Sequence, residues 1–353
     1  MRCHRLLAGL LTGLAASYAM AADSSPKVQS ACASCHAAQT AYQPQTPMAH
    51  ALLPSGENPT LAAHPKLTLR KGAYAYSIET HDRKSTYNVT DGAHTISLPI
   101  RWTIGQRMQT WIFEREGRYY QSRISYYPTI DGLEITVGDE RLIPKSLDEA
   151  VGRELKHAEA RDCFGCHSSN AVSKGELTLA SMQPGVTCEH CHEGTTTHLW
   201  NALQGVLDSP PPSLKKLPAE DVSNFCGQCH RTWETVIRNG IRGEANVRFQ
   251  PYRLANSRCF DGSDPRISCT ACHDPHQNLV RDDSTYDETC QSCHSRASRD
   301  PAAAGSEAKL CPVSGSRCTT CHMPKVKVNS PAGFLTFTDH QIRVVRPGDP
   351  YPN

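Results

Sequence analysis

Seven Cys-x-x-Cys-His segments constrain this 353-residue chain more than any other feature. They are CASCH (Cys32, Cys35, His36), CFGCH (Cys163, Cys166, His167), CEHCH (Cys188, Cys191, His192), CGQCH (Cys226, Cys229, His230), CTACH (Cys269, Cys272, His273), CQSCH (Cys290, Cys293, His294) and CTTCH (Cys318, Cys321, His322). Two cysteines three apart with a histidine directly after are the attachment signature of c-type haem. The thiols form thioethers to the two vinyl groups, and the histidine reaches the iron. Zinc sites call for paired motifs in a cytosolic setting, and redox dithiols for a βαβ context; neither suits seven copies. The expectation is seven covalently attached haem c groups. The motif cysteines attach them and the seven motif histidines are proximal ligands.

A chain with so many prosthetic groups need not bury much of its own apolar surface. The hydrophobic fraction is 38% and mean hydropathy is −0.49, thin for a protein core alone. Macrocycles supply the missing apolar area. Of the 17 cysteines, 14 lie in the motifs, leaving Cys3, Cys259 and Cys311. Such cysteine usage fits an oxidising compartment. The first residues agree: Arg2 and Arg5 precede an apolar run from Leu6 to Ala16, and Ala19-Met20-Ala21 has the form of a cleavage site. Residues 1–21 therefore read as a signal peptide, the apolar run being shorter than the ~20 residues of a membrane span. No transmembrane segment is expected after its removal. The product is exported, to the periplasm first, with the cell surface as the alternative. In that setting Cys259 and Cys311 are expected to pair as a disulfide.

Residues 1–21 hold two of the 37 basic side chains and none of the 35 acidic ones, so the remainder balances at 35 each. Haem propionates then set the sign, at about −7 oxidised and about −14 reduced if all ionise. A nucleic-acid partner is not expected.

Character changes along the chain. Residues 22–65 form an N-terminal segment with the first motif. Residues 66–145 lack cysteine and turn to alternation: Tyr74, Tyr76 and Ile78, then Ile124 and Tyr126, then Leu133, Ile135 and Val137. Asp91-Gly92, Glu116-Gly117 and Asp131-Gly132 punctuate these runs. The pattern predicts an antiparallel β-module of five to seven strands. Its aromatics, including Trp102, Trp111 and Phe113, are read as sheet core, and His64, His81 and His94 as surface histidines. A helix is predicted over Ser146 to Asp162 with Ser146 as N-cap. Residues 146–353 then hold six motifs at about 27 residues each. The fold class is α+β: a helix-and-loop multihaem domain with an inserted β-module.

Seven irons also need sixth ligands. Besides the seven motif-terminal histidines, nine follow residue 21: His50, His64, His81, His94, His157, His190, His198, His276 and His340. His50 and Met48 lie just after the first motif, and either is able to bind iron. His157 sits just ahead of CFGCH, and His198 six residues after His192. His276 follows His273 by three residues, at most ~10 Å of chain, too short to reach the opposite face of the same haem. If it binds iron it binds a neighbouring haem. The same limit leaves His190 as a hydrogen-bonding histidine.

At four places the chain resembles the multihaem cytochromes of the nitrifier type, the superfamily of tetrahaem carriers and hydroxylamine oxidoreductase. These are CEHCHEGTTTH (Cys188 to His198), CTACHDPH (Cys269 to His276), CTTCHMPK (Cys318 to Lys325) and FTDHQIR (Phe337 to Arg343). The likeness covers roughly residues 150–345 and the first motif. It departs after CEHCH, where Glu193-Gly194-Thr195 replaces the family's Gly-Pro-Gly. The resemblance implies that His198, His276 and His340 are distal ligands, with electron transfer between redox proteins as the function. The alternative is an oxidoreductase acting on a small nitrogen or sulfur compound such as nitrite, hydroxylamine or tetrathionate at one open-site haem. No Cys-x-x-Cys-Lys is present to mark a lysine-ligated catalytic haem. A third reading is a conducting filament.

Overall fold

The computed structural model describes residues 31–207, 210, 211, 213–294, 311, 315–346 and 348–352. The expected signal peptide and Cys3 lie outside the described residues. The fold is α+β, with antiparallel sheets in the first half and short helices carrying the motifs in the second.

Two sheets form where alternation predicted strands. The smaller has order β2-β3-β4-β5, from Lys66–Lys71, Tyr74–His81, Lys84–Thr90 and Thr95–Pro99. The larger runs β1-β6-β7-β8-β10, from Leu52–Pro54, Trp102–Ile104, Gln109–Arg115, Arg118–Tyr127 and Gly152–Glu154. Gly132–Ile135, β9, also pairs with β8. Within residues 66–145, eight strands replace the predicted five to seven. The excess has a physical source: alternation marks strands with one wet face, whereas the first five residues of β7 are all buried. Two strands, β1 and β10, come from either side of residues 66–145.

The buried faces explain that packing. Trp111 and Phe113 point one way, into a core shared with Tyr76, Ile78, Tyr87 and Val89 of the small sheet. Ile112, between them, points the other way to join Leu52, Trp102 and Phe164. The larger sheet is therefore covered on both faces, by the small sheet and by the helix His157–His167. Trp111, Phe113 and Tyr127 are wholly buried, in keeping with their reading as core.

The helix predicted over Ser146 to Asp162 is broken in two. Ser146 does cap it, accepting from the Glu149 backbone N–H, but the helix ends after Leu147–Val151. Gly152 then adopts φ 147°, and a Cβ there would lie 2.1 Å from the Gln121 carbonyl oxygen. This close approach lets β10 pair with β8. A second helix, His157–His167, begins after the strand and ends in the second motif.

Candidate haem sites

Each motif occupies a helical turn or a helix end. The His36, His192 and His273 backbone N–H groups donate to Cys32, Cys188 and Cys269 carbonyls at 2.8–2.9 Å. Such a turn carries residues three apart on one face, so both thiols are presented to one macrocycle edge. The second motif is anchored by its variable residue: Phe164 is wholly buried, edge-on to Trp102 at 5.1 Å and Tyr119 at 5.5 Å. The larger sheet also orients that motif's histidine, because His167 Nδ1 donates to the Ala51 carbonyl at 3.1 Å.

Three ring pairs join histidines from different parts of the chain. His36 and His198 have ring centres 6.3 Å apart, His192 and His276 6.0 Å, and His273 and His340 6.2 Å. Two imidazoles each bonded to one metal at ~2.0–2.1 Å have centres roughly 6 Å apart. Each pair joins a motif histidine to one of the three that the resemblance singled out. His340 Nδ1 lies 3.0 Å from the Thr338 carbonyl and His322 Nδ1 2.9 Å from the Arg343 carbonyl. A carbonyl only accepts, so Nδ1 carries the proton and Nε2 keeps the lone pair a metal needs. His276 Nδ1 is held by Asp274 Oδ1 at 2.9 Å. Burial holds His167, His192, His230 and His273 below the ordinary imidazole range and takes His340 to about 4. Neutral imidazole is the ligating form.

Other candidates go elsewhere. His157 Nε2 pairs with Glu176 at 3.2 Å on an exposed surface. His50 is exposed, its carbonyl accepting from Gln106, while Met48 is half-buried and its carbonyl accepts from Val186 N–H. His190 Nε2 lies 4.0 Å from Cys229 Sγ. His64 bonds Asp131. Among the described residues, no histidine ring faces His167, His230 or His322 as in the three pairs. The expected disulfide between Cys259 and Cys311 is not formed in the structure, where both residues are exposed.

The motifs touch one another in an order that is not the sequence order. Cysteines of different motifs lie side by side: Cys32 by Cys188, Cys166 by Cys229, Cys226 by Cys269 and Cys290 by Cys318. His190 joins the third motif to the fourth. Thr289 donates to the Ala271 carbonyl, joining the sixth to the fifth. Asp287, buried at the start of the sixth motif's helix, accepts from Arg317 and Cys318 N–H and so ties it to the seventh. All seven motifs form one connected set.

Sequence reasoning passed over Asp287 and the buried Arg253–Asp339 pair, bonded through Nε–Oδ1 at 2.8 Å and Nη2–Oδ2 at 2.9 Å. A guanidinium inside Pro251-Tyr252-Arg253-Leu254, an otherwise apolar run, was the available signal.

Residues 141–193, holding the second and third motifs, match the family described as cytochrome c554 and c-prime. Residues 265–299, holding the fifth and sixth, match the doubled CXXCH motif. No curated protein matches the chain. Among solved structures the fold is similar to the crystal structure of the outer cell wall cytochrome OcwA, with TM-score 0.52 and 14% identity over 90% of this chain and 79% of that one. Motifs, family matches and fold together define a multihaem c-type cytochrome with an α+β architecture. No described helix is long and apolar enough to cross a membrane.

Proposed function

We propose that the chain is an exported seven-haem electron carrier, related to the nitrifier tetrahaem cytochromes and hydroxylamine oxidoreductase, that passes electrons between redox proteins. The observation that carries this reading is the connected set of motifs, tied by the cysteine contacts and the three facing histidine pairs. The donor set fits haem c: paired thiols on one helical face, and neutral imidazoles with Nε2 free. When bound, haem iron supplies one-electron redox chemistry. The chain's own residues attach it, orient the imidazoles through Nδ1 hydrogen bonds and exclude water. His36/His198, His192/His276 and His273/His340 are the proposed axial pairs. Electron flow then branches, with the second motif meeting the line at the fourth. Export to the periplasm or the cell surface is part of the proposal, and the outer cell wall placement of OcwA favours the surface.

A second reading, reduction or oxidation of a small nitrogen or sulfur compound, rests on His167, His230 and His322, which no histidine ring faces among the described residues. Visible and EPR spectra of the oxidised holoprotein separate the two. In a carrier the spectra are unchanged by nitrite or hydroxylamine; a high-spin fraction that binds either one selects catalysis.

A further inference from the structure

Residues 338–343 contact two haem sites at once. His340 turns its ring toward His273 of the fifth motif, with Nδ1 held by the Thr338 carbonyl. Three residues on, Arg343 is bonded to His322 of the seventh motif in both directions: its carbonyl lies 2.9 Å from His322 Nδ1, and its N–H donates to the His322 carbonyl at 3.2 Å. Between the two stands Asp339, with no solvent exposure. It receives the Arg253 fork through both oxygens. It also accepts from Arg343 Nη1 at 2.5 Å and from the Gln341 N–H at 3.0 Å.

Arg253 is almost wholly buried too. Its remaining donors reach Gln341 Oε1 at 2.7 Å and the Pro352 carbonyl at 3.0 Å, and its plane lies 4.6 Å over the Tyr351 ring. Close by, Ser257 Oγ donates to the His340 carbonyl and accepts from the Ile342 N–H. Arg253 and Ser257 therefore both converge on one short segment. A buried ion pair of this kind is weak as a source of stability but strong as a source of geometry, since removing one partner strands the other.

We propose that Arg253 and Asp339 are positioning residues that set two irons together, the fifth haem through His340 and the seventh through the Arg343 carbonyl on His322. The inference rests on His340 and His322 being ligands, as proposed above. Loss of the pair frees the segment at both ends. His340 leaves its iron, and His322 loses the hydrogen bond that fixes its tautomer and basicity.

The test uses full-length holoprotein carrying Asp339→Asn, with haem content, EPR of the oxidised state and a potentiometric titration. His340→Ala marks the fifth haem's component, and Cys318→Ala/Cys321→Ala marks the seventh's. Asp339→Asn is expected to keep its haem content, convert about one haem in seven to high spin at the component marked by His340→Ala, and shift the seventh haem's potential. All iron low-spin with both components unmoved, whatever the melting temperature, overturns the proposal. If Asp339→Asn does not fold, Arg253→Lys, which keeps the buried charge but loses the fork to both Asp339 oxygens, decides: the same two components shift, or neither shifts and the proposal fails. Should His340→Ala itself leave all iron low-spin, the ligand assignment falls and takes this inference with it.

Discussion

His192 and His276 face each other with ring centres 6.0 Å apart and planes within 7° of parallel. One follows the third motif's cysteines; the other sits three residues beyond the fifth motif's histidine. The Asp274 carboxylate holds His276 Nδ1, and its backbone-bonded position fixes the ring's approach. One short link, His273 to His276, thus spans two haem sites. His276→Ala is expected to leave the haem complement intact and turn about one-seventh of the iron high-spin. His276→Met is expected to keep that iron low-spin and raise its potential, thioether ligation favouring the ferrous state. EPR with redox titration reads both.

Phe164 couples the second motif to the larger sheet, packed edge-on against Trp102 and Tyr119. Phe164→Ala is expected to cost about 3–5 kcal/mol, the usual range for emptying a buried aromatic site. Denaturant unfolding of the holoprotein measures it; a loss under about 1 kcal/mol would mean the helix is held by its haem and not by the sheet.

Gly152→Ala meets both a positive φ and the Gln121 carbonyl. Because the obstacle is sheet backbone, no side-chain movement relieves it. A destabilisation larger than about 1 kcal/mol is expected, beyond the ordinary glycine-to-alanine difference, with the melting temperature as readout.

Asp131 is held below the ordinary carboxylate range by hydrogen bonds from Tyr126 and His64. The unfolded chain therefore takes up a proton at higher pH than the folded one. The stability contributed is present above about pH 4 and is lost as pH falls through the lower folded value. Tyr126→Phe is expected to flatten the stability profile below about pH 4, read from urea midpoints at stepped pH.

Much of this was legible from residue spacing, and the limits follow from what spacing encodes. The reach of three residues directs His276, if it binds iron, to a neighbouring haem, and in the structure its ring faces His192. Alternation located the β-module but undercounted its strands, because β7 is covered on both faces and carries no alternating signal. The break at Gly152 was hidden since helical spacing continues across it; only the approach of Gln121, a tertiary contact, enforces it. The contact between Cys32 and Cys188 rests on the chain between them, which no local pattern specifies. For the same reason Arg253 and Asp339 carry no mutual signal in the sequence.

The central claim is that all seven motifs carry haem in one connected set. Intact-mass spectrometry of the purified holoprotein, with a pyridine haemochrome assay on the same sample, tests it directly. The account predicts seven covalent haems per chain, beginning after residue 21. Six or fewer in fully matured protein would contradict it.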